Sequence, residues 1–382
     1  MFVLMIARGF PTPDNPQWGC FEKDQAEALA NLGHKVVVAS VDSRFCLRFR
    51  KIGITTHHEN GVTYYNSFFI PGVFTKLFGR NANYRVKRWQ LQRIYNNIEK
   101  THGKPDVIYG QFFFNSFIAL QIAQTYNIPL VNIEHAARFN EKNIDKESLF
   151  QAQEVYKVSA ANIAVSHSLK VSLDSLFNLN CSVVHNMIGN EFSFTPDTVR
   201  QSDKVTFVTT GNLIKRKGFD LLPKAFQLAQ LPPDKWQMIL IGDGSEHKNL
   251  QEQIDNAGFH DNILLLGTKS KCEIASILNQ SDVFALPSRN ENFSVAVLEA
   301  LACGLPVIAS ICGGIRECID NRNGLLFEVD DVQGLAQNLK FMFEHYSNYN
   351  RQAIADDCMA RFSPKVIAGQ LTDIFASVLP NK

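Results

Sequence analysis

The sequence predicts an α/β protein made of two doubly wound domains, and three observations support this. The chain has 382 residues, which is enough for two domains of ordinary size. Short apolar segments alternate with amphipathic segments of helical length in both halves of the chain. The alternation stops in a polar stretch from Asn186 to about Lys204 and then starts again, so we predict a linker there.

The N-terminal half alternates predicted strands with predicted helices. The first strand leads into a loop rich in Pro, Asn and Gly, and Gly33 ends the helix that follows. A long polar loop is expected after the strand at 130–133. Strands separated by helices predict a parallel sheet with helices on both faces. The predicted strands are 2–7, 35–41, 107–109, 130–133, 162–165 and 183–184, and the predicted helices are 21–32 and 116–126.

The C-terminal half repeats this pattern as a second unit of the same kind. We assign 1–190 to a first Rossmann-like domain, 191–363 to a second, and 364–382 to a final helix. Two such domains facing one another would place a ligand cleft between the carboxyl ends of their strands. The predicted strands are 205–209, 236–241, 263–266, 283–286, 307–309 and 325–327, and the predicted helices are 219–229, 249–256, 272–278 and 294–303.

Composition excludes several classes of protein. A net charge of +1 argues against a nucleic-acid binder. The sequence contains no run of about 18 apolar residues, so it predicts no membrane-spanning segment. The apolar segment 2–7 is too short for a signal peptide. The eight cysteines have neither metal-site spacing nor the pattern of a disulfide framework. We therefore expect a cytoplasmic protein without a metal or a cofactor.

The segment 286–317 carries the strongest signal for a binding site. Glu291 lies in a loop after an apolar strand, and Glu299 follows eight residues later within a predicted helix. Phe293, Ser294 and Val295 place backbone N–H groups at the helix start, where they lack helical partners and carry the positive end of the dipole. Carboxylates suit hydroxyl-rich ligands such as sugars and ribose. The alternative is that both glutamates are ordinary exposed charges.

The order of strand, E-x7-E, G-x-P, strand and GG-x-x-E resembles the donor site of retaining glycosyltransferases with the GT-B fold, in particular family four. The resemblance implies transfer of a sugar from a nucleotide-sugar donor to an acceptor hydroxyl, with retention at the anomeric carbon. It implies that Glu291 and the N–H groups near Phe293 and Ser294 fix the sugar, and that Glu299 holds the ribose. It also implies that the last helix packs back on the first domain.

The second signal is the segment 210–220, TGNLIKRKGFD. Gly211 ends a strand, and Arg216 and Lys217 place cations beside a helix start, where a diphosphate would bind. A Lys/Arg pair in a loop is otherwise simply solvated. The segment is similar to the family's G-R-L…K-G motif, which implies that Lys217 contacts the donor diphosphate. Asn212 stands where the family often has Arg, and Arg216 is the alternative second cation if its side chain points inward.

Three further positions are assigned to the site by the same resemblance. His135 follows the strand at 130–133, and it corresponds to a family His that contacts the donor sugar from the opposite domain. A lone His is more often structural. Gly19 fits the family's N-terminal loop near the phosphate or the acceptor, although glycine is also plain turn punctuation. Gly267 corresponds to backbone that approaches the nucleotide base.

Two basic and aromatic segments, 44–51 and 68–89, allow two interpretations. They lie at an anionic membrane surface, or they are a packed loop and helix whose charges face water. The first interpretation favours a lipid-linked saccharide as the acceptor and the inner face of the membrane as the location; polysaccharide assembly is suggested by family association. Three alternatives remain for function, namely a nucleotide-sugar epimerase of the same fold, a non-catalytic nucleotide-sugar-binding protein, and a glycoside hydrolase with paired carboxylates.

Overall fold

The computed structural model describes residues 1–11, 18–42, 52–69, 80–140, 144–196 and 203–380, and these form two compact units. The first unit contains residues 1–185 and the segment from Pro364 onward, and the second contains Asn186–Ser363. Each unit is an α/β structure built on one sheet, so the predicted fold class is confirmed.

The described part of the first unit contains eight strands in the order β3-β4-β2-β1-β5-β6-β7-β8. The chain runs outward from β1 in one direction and then restarts at β5 on the other side, so the order reverses between β1 and β5. The strands are β1 Phe2–Ala7, β2 Lys35–Asp42, β3 Gly53–Glu59, β4 Val62–Phe68, β5 Val107–Gln111, β6 Leu130–Glu134, β7 Ala161–Ala164 and β8 Ser182–Val183. The helices are α1 Cys20–Asn31, α2 Arg80–His102, α3 Phe113–Thr125, α4 Lys146–Val158 and α5 His167–Phe177.

The core of the first unit lies along its central strands. All six residues of β1 are buried, and so are all five of β5 and of β6. Continuous apolar strands of this kind are typical of parallel strands that are covered on both faces. The apolar runs in the sequence therefore located the central strands correctly.

The first unit differs from the prediction in several elements, because β3, β4, α2, α4 and α5 are not among the predicted strands and helices. The sheet is not parallel throughout, because β3 pairs antiparallel with β4 across a two-residue turn in which Asn60 and Gly61 have φ of 46° and 77°. An Asn-Gly pair of this kind is a recognised hairpin signal. The polar loop predicted after β6 is also wrong, because it contains α4. Asp145 caps that helix by accepting a hydrogen bond from Ser148 N at 2.9 Å, and Val155 is buried on its inner face.

Among its described residues, the second unit contains six strands, all parallel, in the order β11-β10-β9-β12-β13-β14. Its order reverses between β9 and β12, and in such sheets ligands bind outside the carboxyl ends of the strands at that point. The strands are β9 Val205–Thr210, β10 Trp236–Ile241, β11 Ile263–Leu265, β12 Val283–Leu286, β13 Val307–Ser310 and β14 Gly324–Phe327. The helices are α6 Leu221–Ala229, α7 His247–Asn256, α8 Lys271–Gln280, α9 Val295–Ala302, α10 Val332–His345 and α11 Arg351–Phe362.

The first part of the predicted linker belongs to the second unit. Met187, Ile188 and Phe192 are buried, and Ile188 N donates a hydrogen bond to Phe362 O at 3.1 Å. Burial of these apolar side chains fixes the segment, so the prediction of a linker is wrong for residues 186–196. Residues 197–202 of that prediction lie outside the described residues.

The last helix, α12 Pro364–Val378, belongs to the first unit although it follows the second in the chain. Its Phe375 is buried with its ring centroid 5.0 Å from that of Tyr109, and Thr372 Oγ1 lies 2.8 Å from His34 Nε2. Among the helices of the described ranges, none has both the length and the apolar content that a membrane crossing requires.

Candidate functional site

The loops that leave β9 and β12 touch at the reversal point of the C-terminal sheet. Gly218 has φ of +67°, and a Cβ at this position would lie 1.9 Å from Pro287 O. Arg289 N donates to Arg216 O at 2.8 Å. The close approach therefore depends on glycine at position 218, and it brings the residues predicted from two distant segments together.

Arg289 holds these two loops together through hydrogen bonds. Its guanidinium donates two hydrogen bonds of 2.8 Å to the carboxylate of Asp220, and its Nε donates to Asp330 at 2.6 Å. It also donates to Lys215 O at 2.6 Å. Partial burial raises the pKa of Asp220, but Arg289 holds that pKa below its ordinary value. This planar two-point contact is the geometry in which arginine binds carboxylates best, and it fixes the frame of the site.

Lys217 and Glu291 form an ion pair inside this frame. Lys217 Nζ donates to Glu291 Oε1 at 2.6 Å, and the two side chains are only 12% and 8% exposed. Ser288 Oγ donates to the same carboxylate oxygen at 2.8 Å. Glu291 is therefore not the solvated loop charge that its position in a loop would suggest.

Arg216 also faces this carboxylate. Its Nη1 lies 3.7 Å from Glu291 Oε2 and donates to Asn290 O at 2.6 Å, while the side chain is 38% exposed. Burial raises the pKa of Glu291, but Lys217 and Arg216 hold it below its ordinary value, with help from the hydrogen bond of Ser288. Arg216 is the less engaged cation, so the site retains a partly exposed positive charge that an anionic ligand can reach.

Helix α9 begins just beyond this cluster. Ser294 is its N-cap residue, but its hydroxyl does not cap the helix, and this buried oxygen has no hydrogen-bond partner in the described part of the chain. Phe293 packs against Phe362, and its carbonyl accepts from Asn186 at 3.0 Å. Val295 begins the helix, and Glu299 lies half-buried within it. The buried Ser294 hydroxyl at the helix start is thus a polar group that a bound ligand can satisfy.

A glycine follows the carboxyl end of each of β9 and β10, and another lies just beyond β11; they are Gly211, Gly242 and Gly267. A Cβ on Gly242 would lie 1.9 Å from Gly211 O, and Gly242 N donates to Gly267 O at 2.9 Å. Gly267 has open space within 4 Å of where its Cβ would be, and Asn212 is exposed. The strand ends therefore present their backbone directly, as a site for a flat or extended ligand requires.

The first unit has a separate polar group at the carboxyl ends of its strands. Gly19 stands at the start of α1 with φ of +76°, and its missing Cβ would lie 2.4 Å from Gly9 O. Arg8 binds the buried carboxylate of Glu22 through two contacts of 2.6 and 3.0 Å. Its guanidinium carbon lies 4.6 Å from the ring centroid of Phe112. These contacts fix the chain on both sides of residues 12–17, which are outside the described residues.

His135 lies in this group and is held by a chain of buried amides. Its Nε2 is 2.9 Å from Gln111 Oε1. The Gln111 amide N–H donates to Gln25 Oε1 at 2.8 Å, and that oxygen also accepts from the Tyr109 hydroxyl at 2.9 Å. Because the Gln111 nitrogen is already a donor, its oxygen accepts, and His135 Nε2 carries the proton.

Glu134 fixes the backbone on which His135 stands. Its buried carboxylate accepts hydrogen bonds from Phe113 N, His135 N and Ala136 N at 3.0, 3.0 and 2.7 Å, and from the Tyr156 hydroxyl at 2.9 Å. Burial raises the pKa of Glu134 above its ordinary value, and these hydrogen bonds offset the rise only in part. Glu134 is neither exposed nor bonded to the His135 ring; it shapes the exit of β6.

The structure thus divides the predicted residues between two places. Arg216, Lys217 and Glu291 meet at the exits of β9 and β12, and Gly211 adjoins them, since a Cβ there would lie 3.5 Å from Lys217 Cε. His135 and Gly19 lie in the first unit. Sequence reasoning missed four residues that build these places, namely Glu22, Gln111, Ser288 and Arg289. The partners of Gln111 and Arg289 lie 86 and 69 positions away in the chain, whereas Ser288 lies three positions before Glu291 in a loop without periodicity.

Two family models match consecutive parts of the chain. Residues 23–191 match Glycosyltransferase Family 4, and residues 192–355 match Glycosyl transferases group 1. Together they cover residues 23–355, which include the segments that hold His135, Lys217 and Glu291.

Individual relatives agree with these models. The chain is 28% identical over 54% of its length to a subunit of the human phosphatidylinositol N-acetylglucosaminyltransferase, and this alignment spans only 46% of that protein. It is 25% identical to the putative teichuronic acid biosynthesis glycosyltransferase TuaC of Bacillus subtilis over 97% of this chain and 96% of that protein. The crystal structure of Anabaena Alr3699/HepE in complex with UDP-glucose has the same fold, with a TM-score of 0.73, 19% identity, and coverage of 99% and 100%.

Proposed function

The chain belongs to the group 1 and family 4 glycosyltransferases, and from this premise we propose that it moves a sugar from a nucleotide-sugar donor to an acceptor hydroxyl with retention at the anomeric carbon. The observation that carries the proposal is the cluster of Lys217, Arg216 and Glu291 at the reversal point of the C-terminal sheet. Cations, a helix start and a buried carboxylate meet there, which suits a ligand with a diphosphate at one end and hydroxyls at the other.

In this proposal Lys217 and Arg216 bind the donor diphosphate. Arg216 takes the place of the arginine that the family often has where this chain has Asn212, which is supported by its position 3.7 Å from Glu291. Glu291 and the start of α9 at Phe293, Ser294 and Val295 then receive the sugar. The related Anabaena protein was crystallised with UDP-glucose, which supports a nucleotide-sugar as the class of donor.

The remaining donor contacts follow from the same placement. Glu299, one turn into α9, accepts hydrogen bonds from the ribose hydroxyls. The backbone at Gly211 and Gly267 lies along the nucleotide, since neither residue places a side chain there. Binding of the diphosphate draws Lys217 away from Glu291, which frees the carboxylate to accept hydrogen bonds from the sugar.

The reaction breaks the bond between the anomeric carbon and the diphosphate oxygen and forms a bond from that carbon to the acceptor oxygen. The acceptor proton passes to the leaving phosphate on the same face of the sugar. Negative charge grows on the diphosphate as this happens, so fixed cations and N–H groups lower the barrier by electrostatic stabilisation. We propose that these groups suffice without a metal ion.

His135 is the residue of the first unit that we propose to contribute to turnover. Its imidazole is fixed at Gln111 and between the rings of Phe21 and Phe112, whose centroids lie 5.0 and 4.9 Å away. Such restraint is typical of a side chain that acts by position. Replacement of His135 by Ala tests this, because a purely structural histidine would alter stability without a specific loss of turnover.

The acceptor is proposed to be a saccharide or a lipid-linked saccharide in polysaccharide assembly, and α2 supports the lipid-linked form. Arg85, Trp89, Arg93 and Lys100 lie on one exposed stripe of this helix, Trp89 is 57% exposed, and the Arg93 guanidinium lies 4.9 Å from its ring. Basic and aromatic side chains in this arrangement suit an anionic membrane surface.

Other parts of the basic and aromatic segments do not contribute to this stripe. Arg88 stacks over Phe117 at 4.4 Å and donates to its carbonyl, and burial lowers the pKa of Lys87. The segment 44–51 and Lys76 lie outside the described residues. Flotation with vesicles of phosphatidylglycerol and phosphatidylcholine tests the surface, and we expect binding at low salt that Trp89→Ala weakens. Failure of the wild-type protein to float with these vesicles would remove the membrane proposal.

The proposed activity is tested by a panel of nucleotide-sugars. A donor that binds raises the thermal midpoint, because it stabilises the folded state alone. We expect one donor to do so and to be slowly hydrolysed without acceptor. When an acceptor is supplied, the glycoside that forms should have the donor's anomeric configuration in proton NMR spectra. Conversion of the sugar within the nucleotide would indicate an epimerase, binding without any turnover a non-catalytic protein, and hydrolysis of a simple aryl glycoside without nucleotide a glycoside hydrolase.

A further inference from the structure

A cavity of about 530 Å³ lies in the second unit, bordered by α10, α11 and the turn at 321–323. That turn leads into β14, and β14 begins opposite the first residue of β13, with Gly324 paired to Val307. The cavity is therefore at the amino edge of the sheet, whereas Lys217 and Glu291 lie beyond the carboxyl ends of its strands. Its volume is in the range of known small-ligand pockets, about 300–1,000 Å³.

One side of this cavity is aromatic. Phe341 is 45% exposed, and its ring centroid is 4.6 Å from that of His345. Tyr349 lines the same cavity, and its hydroxyl makes no hydrogen bond to another described residue. Large aromatic side chains that remain exposed beside a cavity offer flat apolar surface to a ligand.

The charged side chains of the lining are already matched. Arg322 Nη2 lies 2.6 Å from Asp320 Oδ2, and Asp357 Oδ2 lies 3.1 Å from Arg361 Nη1. Arg322 is the only arginine or lysine in the described lining, so the cavity lacks the cluster of cations that the donor site has for a diphosphate. The polar groups that remain are uncharged, because the amides of Asn321 and Asn348 have no hydrogen-bond partner within the described ranges.

From this lining we propose that the cavity is a saccharide-binding site, separate from the donor site, for the acceptor or the product chain. A pyranose ring has apolar C–H faces that stack on aromatic rings and a rim of hydroxyls that pair with amides and phenols. An uncharged, flat-faced, hydroxyl-rich ligand matches each feature of the lining. That the bound saccharide is the acceptor or the product chain rests on the proposed function. That the cavity binds a saccharide rests only on its aromatic and amide lining.

NMR experiments that detect the signals of a saccharide in the presence of the protein test this site. Three saccharides serve as probes, namely maltotetraose, β-1,4-galactotetraose and tetra-N-acetylchitotetraose. We expect at least one to bind the full-length protein, and the binding to persist at saturating UDP. Phe341→Ala should weaken it by about tenfold, the loss expected for one aromatic contact. Leu228→Ala is the matched control, because Leu228 is also a large exposed apolar residue of the second unit but does not line the cavity.

Two outcomes would overturn the proposal. One is that none of the three tetrasaccharides binds the wild-type protein; the other is that binding is equally strong in Phe341→Ala and in wild type. Either result leaves the donor site untouched, since nucleotide-sugar binding is measured separately. Failure of the proposed function has a different signature, which is that no nucleotide-sugar raises the thermal midpoint, whether or not the tetrasaccharides bind.

Discussion

Lys217 Nζ lies 2.6 Å from Glu291 Oε1, and this ion pair joins two loops whose residues are 74 positions apart in the chain. The lysine expected to bind phosphate and the carboxylate expected to bind sugar thus neutralise each other in the protein alone. An uncompensated buried charge would be costly, so the pair stabilises the site before a ligand arrives. In the proposed mechanism, donor binding replaces Glu291 by the diphosphate as the partner of Lys217, and it replaces Lys217 by the sugar as the partner of Glu291.

Lys217→Ala tests the phosphate contact. We expect the rate to fall by at least about tenfold, because one charge-assisted contact to the leaving group contributes roughly 1.5–3 kcal/mol. Lys215→Ala is a suitable control, because Lys215 belongs to the same short turn but has an exposed side chain. Steady-state kinetics with the donor identified by thermal shift would measure both variants, and wild-type rates in Lys217→Ala would refute the assignment.

Glu291→Gln tests the role of the carboxylate in stability. The pKa of Glu291 is lowered in the folded protein, so its contribution is present above the ordinary glutamate pKa of about 4.3 and is lost as the pH falls through the lowered folded-state value. We expect the variant to be less stable than wild type at pH 7 by about 1–3 kcal/mol. The difference should shrink as the pH falls below about 4.

Urea denaturation at a series of pH values would measure this difference. Glu252→Gln serves as the reference, because Glu252 is a well-exposed residue of α7 whose ion pair with Lys248 is a surface contact of 3.8 Å. A stability gap between Glu291→Gln and wild type that stays constant from pH 7 to acid would contradict the pairing.

Gly218→Ala tests the contact between the two loops. A methyl group at this position would meet Pro287 O at 1.9 Å, whereas Gly258 has a similar φ of +76° but open space around it. Gly258→Ala should therefore cost only the backbone strain of about 1–2 kcal/mol. Gly218→Ala should cost a further 1–3 kcal/mol or so for the clash, and it should reduce donor binding. Equal losses in the two variants would mean that the loop contact is not needed.

The sequence predicted the parts of the site that follow from local pattern. The apolar strands, the helix after Ser294 and the loops carrying Lys217 and Glu291 are read from short segments, and the parallel order then places those loops together. Periodicity cannot reveal pairings between distant residues. The bond from Lys217 to Glu291, the clamp from Arg289 to Asp220 and the inward position of Arg216 therefore needed the structure.

Two errors in the prediction have local physical causes. The segment of α4 is polar on average because only five of its thirteen residues are buried, and buried side chains such as Val155 suffice to fix it. The polar average of the segment after Asn186 predicts a linker, although buried Ile188 and Phe192 anchor that segment in the second unit. In both places the average polarity concealed a small number of anchoring residues.

Gln111→Leu tests whether the amide chain sets the state of His135. The leucine removes the acceptor at 2.9 Å from Nε2, so the proton should no longer be confined to that nitrogen. Nitrogen-15 NMR of the imidazole would report the change as a shift from one tautomer to a mixture. Gln121→Leu is the control, because Gln121 is exposed on α3. An unchanged imidazole spectrum in Gln111→Leu would show that other contacts hold the ring.

Chelation tests whether the cations of the site replace a metal ion. Lys217, Arg216 and the start of α9 supply positive charge where the leaving diphosphate is proposed to lie, and a divalent cation would serve the same purpose. We expect turnover to persist in EDTA after gel filtration into metal-free buffer, and Arg216→Ala to be slower by about tenfold for the loss of one charged contact. Added Mg²⁺ or Mn²⁺ should not restore that variant. Complete loss of wild-type activity in EDTA, recovered with Mn²⁺, would instead assign the charge on the diphosphate to a bound metal and leave Arg216 a structural role.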